Sequence, residues 1–212
     1  MPDPDAPWNT VGQRVRTARA AAGMTVRELA RRIGVSASHV SQVERGIGAF
    51  SVPALYAVAR ELSLSMNDLL DPAASQGPGE NAPVSVPAGG DLASAGIVQR
   101  AADHPTIKLS SGPRWSRLTA VGEADAEFLE VVYAVGTAAP ADDIRHQGRE
   151  YGIVISGRLN VQVDGAATVL EPGDSIVFDS ALPHRFWNES DGEVRAIWFV
   201  SDRNPGDPVP HG

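Results

Sequence analysis

The sequence predicts an α + β multidomain protein, with a helical domain at the N-terminus and an antiparallel β domain at the C-terminus. Three observations support this division. The chain of 212 residues is long enough for two domains that each bury a core. Apolar residues recur at helical spacing from Val11 to about Leu70, whereas short β-type runs separated by Gly, Asp and Pro begin at Ile97. A stretch rich in Pro, Gly, Ala and Ser lies between the two regions.

Residues 9–71 are expected to form five short helices, because the apolar pattern is interrupted at regular points. Val11 and Val15 lie on the inward face of the first helix. Stop glycines for the first three helices are Gly23, Gly34 and Gly46. N-caps for the second, third and fourth helices are predicted at Thr25, Ser36 and Ser51. The spacing of Thr25 and Glu28 is that of a capping box.

The second half of the chain has the pattern of a β-sandwich or barrel. We expect a linker at residues 72–96, a β domain at residues 97–202 and a flexible tail at residues 203–212. The β-type runs are TIKLS, EFLEVVYAV, YGIVIS, LNVQV, TVL, SIVF, HRFW and AIWFV.

Charge is distributed unevenly along the chain, whose net charge is −8. Residues 9–66 contain eight Arg and three Glu, whereas the sequence from residue 73 onward contains ten Lys or Arg and nineteen Asp or Glu. A basic head on an acidic body indicates a polyanionic partner for the head alone. Without an accompanying motif, the arginines would be interpreted as a solvated face.

Composition excludes several classes of protein. The absence of cysteine rules out a disulfide scaffold and any thiolate metal site. No apolar run approaches the roughly 18 residues that span a bilayer, and the first ten residues lack the pattern of a signal peptide. We therefore expect a cytoplasmic protein without a membrane partner.

Two of the predicted helices are joined by the tight turn Gly34-Val35-Ser36, which is the spacing of a helix-turn-helix. The stretch MTVRELARRIGVSASHVSQVERG, with the later SVPAL, resembles the XRE family, relatives of the lambda-type phage repressors. The resemblance covers residues 9–71 and implies a five-helix lambda-repressor-like domain that binds double-stranded DNA. It also implies a homodimer on half-sites about 34 Å apart. A helix-turn-helix that only binds protein is the alternative.

By this resemblance, exposed residues early in the third helix meet base edges. Gln42 can bond bidentately to adenine, Ser38 to either base type, and Ala37 can contact a thymine methyl group. Candidates for phosphate contacts are Arg27, Ser36 at the helix N-terminus, and Arg45. The neighbouring candidates are His39 and Ser41.

The sequence HQGRE at 146–150, followed by Gly157, resembles the first motif of the cupin family. Pro172-Gly173-Asp174 with His184 and Asn188 resembles the second. Over residues 97–200 the resemblance implies an antiparallel double-stranded β-helix (cupin) barrel that senses a small-molecule effector.

His146, Glu150 and His184 are expected to converge inside this barrel, where they would leave open positions on a bound divalent metal ion. Fe, Zn, Ni and Mn all suit such a set. Ile144 occupies the place of a further motif histidine, which excludes a four-ligand site. The alternative is a hydrogen-bonded polar cluster, or direct contact with an organic ligand.

Barrels of this class enclose one small ligand. Candidate pocket residues are Arg117, Tyr133, Tyr151, Phe186 and Trp198. Aromatic residues of this kind more often belong to the core.

Two functions are consistent with these features. The favoured one is a transcription regulator, not an enzyme, in which an effector or metal in the barrel changes the affinity for DNA. The alternative is a mononuclear non-haem iron cupin enzyme resembling hydroxypropylphosphonate epoxidase, which also has an XRE-like domain before a cupin and a His-x-x-x-Glu pattern. That enzyme uses a lysine from its helical domain, whereas the only lysine here is Lys108, at the start of the β region.

Overall fold

The computed structural model describes residues 7–70, 91–119 and 126–201. The chain divides into two compact units, residues 1–124 and 125–212. Most of the predicted linker and the whole predicted tail lie outside the described residues. No helix in the described ranges is long and apolar enough to cross a membrane.

Among the described residues of the first unit, four helices have seven or more residues. Their bounds are α1 Pro7–Ala21, α2 Val26–Arg32, α3 Ala37–Glu44 and α4 Val52–Leu62. The predicted fifth helix, α5 Met66–Leu70, has only five residues. Ser65 and Asp68 cap this helix reciprocally, through the Asp68 N–H to Ser65 Oγ (2.9 Å) and the Ser65 N–H to Asp68 Oδ2 (2.8 Å).

The predicted helix caps are confirmed. Each hydroxyl accepts a hydrogen bond from the N–H three residues on, over 3.1 Å at Thr25, 3.1 Å at Ser36 and 3.4 Å at Ser51. The stop glycines Gly23, Gly34 and Gly46 all adopt positive φ. The capping box is only half formed, because the Glu28 carboxylate pairs with Arg32 at 3.0 Å.

Helix α1 packs directly on α3, and the contact depends on one glycine. A Cβ atom added at Gly12 would lie 2.0 Å from the backbone oxygen of Val43. Val11 and Val15, on either side of this position, are buried, as are Val40 and Val43 of α3. The close approach therefore sets the spacing between these helices.

A short strand pair also belongs to the first unit. Strand β1 Thr106–Lys108 pairs antiparallel with β2 Arg114–Arg117, which the sequence pattern missed because RWSR is polar. The Ser110 N–H donates to Phe50 O at 3.1 Å, and the rings of Tyr56 and Trp115 lie 6.0 Å apart. These contacts lie within the first unit. The domain bounds remain a prediction.

The described residues of the second unit form seven antiparallel strands in two sheets. Their bounds are β3 Ala126–Tyr133, β4 Arg149–Ser156, β5 Leu159–Val163, β6 Ala166–Leu170, β7 Ser175–Asp179, β8 His184–Trp187 and β9 Val194–Ser201. One sheet has the order β3-β9-β4-β7 and the other β6-β5-β8. All of the predicted β-type runs contribute strands.

The predicted barrel is not closed: among the described residues, the unit is an open sandwich of two sheets. Among the described strands, β7 pairs only with β4, and β8 and β6 each pair only with β5. Each of these strands has only four or five residues, so the hydrogen-bonded ladders end before the sheets join.

The Gly12→Ala variant is expected to lower the free energy of unfolding by about 1–3 kcal/mol, because its methyl group forces α1 away from α3. Denaturant unfolding followed by helical circular dichroism measures the loss. Gln13→Ala, at an exposed position of the same helix, is the matched control and should stay within about 0.5 kcal/mol. Equal stability of Gly12→Ala and wild type would contradict this account of the contact.

Candidate DNA interface and candidate metal centre

Helices α2 and α3 form a compact helix-turn-helix. The Val35 N–H donates to Ala30 O at 3.0 Å, which closes the turn at Gly34. Val40 and Val43 turn into the core, which leaves the opposite face of α3 toward solvent. Among the predicted DNA-contacting residues, Ser36 at the start of α3 and Ser38 and Gln42 within it are exposed.

The remaining predicted contacts have different surroundings. Arg27 is exposed on α2, and Arg45 is exposed at the end of α3 with its Nε donating to Ser41 O at 3.0 Å. The half-buried His39 packs edge-on against Phe50, with the ring centroids 5.5 Å apart. Its imidazole is therefore partly engaged in the core. Ala37 and Ser41 are half-buried. Base and phosphate contacts at all eight positions remain a prediction.

Two charged groups of the basic head have structural roles. Glu44 is buried and forms a two-pronged ion pair with Arg19, at 2.5 and 2.9 Å. Arg14 donates to the backbone oxygens of Asp68 and Leu69 at 2.9 and 3.0 Å, which satisfies carbonyls of α5. Arg16, Arg27, Arg31, Arg45 and Arg60 carry the exposed positive charge of this region together with Arg32.

Sequence reasoning missed Ile47, which lies directly after α3. Its side chain is 61% exposed, and its N–H donates to Gln42 O at 2.9 Å across the positive-φ Gly46. An apolar side chain held at the end of this helix can contact thymine methyl groups. The helical pattern could not find it, because the pattern ends at the glycine.

The three predicted metal ligands come from three separate segments of the second unit. His146 lies in the loop before β4, Glu150 on the inner face of β4, and His184 at the start of β8. The His146 N–H donates to Ser180 O at 3.1 Å, which ties the loop to the segment before β8. Ile144 forms an antiparallel bridge with His184, through bonds of 2.8 and 3.1 Å.

These ties bring the three side chains together, as predicted. Glu150 Oε1 lies 2.8 Å from His146 Nε2 and 3.0 Å from His184 Nε2. One donor atom from each residue lies within 4.8 Å of the others. The side chains are 11%, 6% and 1% exposed for His146, Glu150 and His184. The cluster is therefore shielded from solvent, and His146 is its most exposed member.

Backbone carbonyls orient both imidazole rings. The Nδ1 of His146 lies 2.9 Å from Gln147 O, and the Nδ1 of His184 lies 2.8 Å from Leu182 O. A carbonyl only accepts, so each Nδ1 carries a proton and each Nε2 is turned toward Glu150. Without a cation, an Nε2 must also be protonated to donate to the Glu150 carboxylate, and a bound cation would take the place of that proton. Ligating histidines adopt this orientation.

Electrostatics of the cluster follow from the same contacts. Burial raises the pKa of Glu150, but the hydrogen bonds and charges of His146 and His184 outweigh it and bring the pKa to about 2. Burial lowers the pKa of His146, but Glu150, Gln147 O and the more distant Glu127 raise it above its ordinary value overall. Glu150 is therefore a carboxylate, the form that binds cations.

An aromatic shell surrounds the cluster. Phe178 and Phe186 lie 5.0 and 5.8 Å from the His184 ring, and Trp198 lies 4.5 Å from Phe186. Tyr133 is also buried, and burial together with the charge of Glu150 raises its pKa. Three of the predicted pocket residues, Tyr133, Phe186 and Trp198, lie in this shell, and their contact with a ligand remains a prediction. Phe178 was missed, because only the strand register places it beside His184.

Two other predicted pocket residues lie elsewhere. Tyr151 is 44% exposed and packs against Phe199 at 6.0 Å, so the prediction that it lines a pocket is wrong. Its neighbour Glu150 faces inward, and alternation along the strand turns Tyr151 outward. Arg117 is buried in the first unit, where its Nε donates to Thr119 O at 3.2 Å. Its part in a pocket remains a prediction.

Asn188 of the second cupin motif has a structural role. Its side-chain amide donates to Tyr133 O and Ala134 O at 3.1 Å and to Gly192 O at 2.8 Å. The amide oxygen accepts from Ser190. These bonds hold the loop before β9 against the end of β3.

Comparison with known families and proteins agrees with both halves of this description. The helix-turn-helix family profile matches residues 15–69, and the cupin domain profile matches residues 129–200. The chain is 25% identical over 186 residues to the HTH-type transcriptional regulator PuuR of Escherichia coli (strain K12). The aligned region covers 88% of this chain and 91% of the relative.

One solved structure that covers most of the chain shares the fold. A HTH_3 family transcriptional regulator from Vibrio cholerae has a TM-score of 0.61 and 17% identity, covering 93% of this chain and 98% of that one. Hydroxypropylphosphonic acid epoxidase from S. wedmorenis has a TM-score of 0.44 and 19% identity, covering 92% and 98%. The second likeness is too weak to carry an argument. The chain is a two-domain protein, with an XRE-type helix-turn-helix domain at its N-terminus and a cupin domain at its C-terminus.

Proposed function

We propose that this protein is a DNA-binding transcription regulator that acts as a homodimer, and that its cupin domain binds a divalent metal ion and a small-molecule effector. The helical unit would bind DNA sequence-specifically. A ligand bound to the cupin unit would change the affinity of the protein for DNA. The curated relative PuuR, aligned over 88% of this chain, is an HTH-type transcriptional regulator, which supports the proposal.

One observation carries the DNA-binding role: α3 is capped by Ser36 and has an exposed face with Ser38 and Gln42, followed by the exposed Arg45. Its Ser36 cap leaves the helix N-terminus toward solvent, where the helix dipole favours phosphate. Gln42 is exposed on the helix, and Glu44 is neutralised by Arg19, so no buried carboxylate repels the duplex. This is the surface that a recognition helix needs.

Titration of fluorescent promoter DNA by anisotropy tests this role. The Gln42→Ala, Arg45→Ala double variant is expected to bind its own promoter at least about tenfold more weakly, because one base contact alone is worth about 1–3 kcal/mol. Loss of Arg45 should also reduce the dependence on salt by about one phosphate contact.

Gln13→Ala, Arg60→Ala is the matched control, since it removes the same two side-chain types from exposed positions on α1 and α4. It should retain sequence-selective binding. Wild-type binding that is weak and indifferent to sequence, with or without metal, would contradict the proposal.

The metal proposal rests on the donor set. The separations of 2.8 and 3.0 Å between Glu150 Oε1 and the two Nε2 atoms suit neighbouring ligands around one ion with bonds of about 2.0–2.2 Å. Protonated Nδ1 atoms keep both rings in the ligating tautomer. A bound ion would act as a Lewis acid toward an anionic or carbonyl group of the effector. The aromatic shell would exclude water from that group.

Removal of a ligand is expected to abolish tight binding of one equivalent of metal. His184→Ala and Glu150→Gln should each lower the affinity for Zn²⁺ or Fe²⁺ at least about tenfold, because each removes one of three donors. Metal competition and elemental analysis measure this loss. His104→Ala, a half-buried histidine of the first unit, is the control. Full metal content in both ligand variants would show that the cluster is a hydrogen-bonded polar group instead.

Coupling between the two functions is tested with the metal alone. The promoter affinity of the metal-loaded wild type is expected to differ at least about fivefold from that of the chelator-treated protein. The same treatment should have no effect on His184→Ala. Equal affinities for both wild-type forms would show that the metal is not the signal.

An iron-dependent cupin enzyme is the second candidate, since two imidazoles and one carboxylate leave positions open for a substrate. A phosphonate substrate would need a buried cationic partner. Among the described residues, the one buried Arg or Lys is Arg117, whose part in a pocket remains a prediction.

A further inference from the structure

The sheet β3-β9-β4-β7 is apolar on both faces. In β4, the outward series Tyr151, Ile153 and Ile155 alternates with the inward series that contains Glu150. An antiparallel sheet that faces water on one side normally carries polar residues on that side. Apolar residues on both faces are typical of a sheet that is covered on both.

The outward residues form one continuous strip across the four strands. Phe128 of β3 lies opposite Phe199 of β9, which lies opposite Tyr151 of β4, which lies opposite Val177 of β7. We call this row, with its neighbours on β4, the outer strip. Its members are Phe128, Tyr151, Ile153, Ile155, Val177 and Phe199, and each is 40–50% exposed.

The charges that flank the outer strip balance one another. On one side, Arg149 and Asp179 are cross-strand neighbours, and on the other Arg195 forms an ion pair with Glu130. The face is therefore locally neutral, although the chain has a net charge of −8. A neutral face suits a second copy of itself, since no like charges meet, whereas a polyanion or an acidic membrane would require excess positive charge.

The area is also appropriate. Aromatic side chains have a surface of roughly 150–250 Å² each, and Ile and Val side chains are somewhat smaller. At 40–50% exposure, the six residues together expose roughly 400–500 Å² of apolar surface. The largest apolar patch of a typical monomer is roughly 300–600 Å² and is often functional. A stable interface buries roughly 800 Å² per partner, a little more than half of it apolar. The strip supplies that apolar part, and the flanking charges supply the rim.

We infer that the outer strip is the homodimer interface, where two copies of the chain pack sheet against sheet about a two-fold axis. The inference rests on the proposed function only in naming a second copy as the occupant. Aligned sheet packing brings the two strips into contact with their aromatic residues at the centre.

Sedimentation equilibrium of the full chain without DNA tests the inference. Wild type is expected at the mass of two 22.3 kDa chains. Phe199→Glu and Val177→Lys each bury two charges at a two-fold interface, and each should raise the dimer dissociation constant by about 30-fold or more. Val169→Lys is the control, because Val169 is 38% exposed on β6 of the other sheet. It should remain dimeric.

Metal content and circular dichroism of the variants identify any that fail to fold, because Glu150 lies on the inner face of the same sheet. A wild-type monomer, or folded strip variants that dimerise as tightly as wild type, would overturn the inference. Promoter anisotropy on the same samples is read separately, so loss of the dimer interface is distinguishable from loss of the DNA-binding role.

Discussion

The two-residue alternation of β4 is the constraint on which the second unit depends. This strand pairs on both edges, with β7 and β9, so its register is fixed over Arg149–Ile153. Glu150 must then point between the sheets while Tyr151 points out of them. A slip of one residue would exchange the carboxylate with the aromatic ring. One strand thus builds the metal-ligand cluster on one face and the proposed dimer interface on the other.

The cluster shows how a buried carboxylate is stabilised by two histidines. Glu150 is buried, yet two imidazole nitrogens within 3.0 Å keep its pKa near 2. Each imidazole is oriented by a backbone carbonyl of its own loop, so its direction depends on local chain geometry. Loop geometry therefore determines whether the site is ready for a cation, and metal binding would in turn order those loops.

In the helical unit, arginines divide into structural and exposed groups. Arg19 and Arg14 are used within the unit, for Glu44 and for the carbonyls of α5. The exposed arginines are not paired with a buried carboxylate, so they contribute a positive electrostatic potential at the surface. A count of Arg and Glu residues does not show which of them pair within the unit. The positive charge exposed to DNA therefore differs from the net charge of this region.

The sequence alone determined the helical unit almost completely, because its signals are local. A cap hydroxyl lies three residues from the N–H that it accepts from, and a stop glycine lies directly after its helix. Both signals can therefore be recognised from the sequence. Convergence of His146, Glu150 and His184 was also predicted, from motif resemblance. By contrast, only the tertiary structure decided what depends on strand pairing: the open sandwich, the outward position of Tyr151, the place of Phe178 beside His184, and the strip across four strands. These contacts join residues far apart in the chain, and their geometry is set by register, which composition and periodicity do not specify.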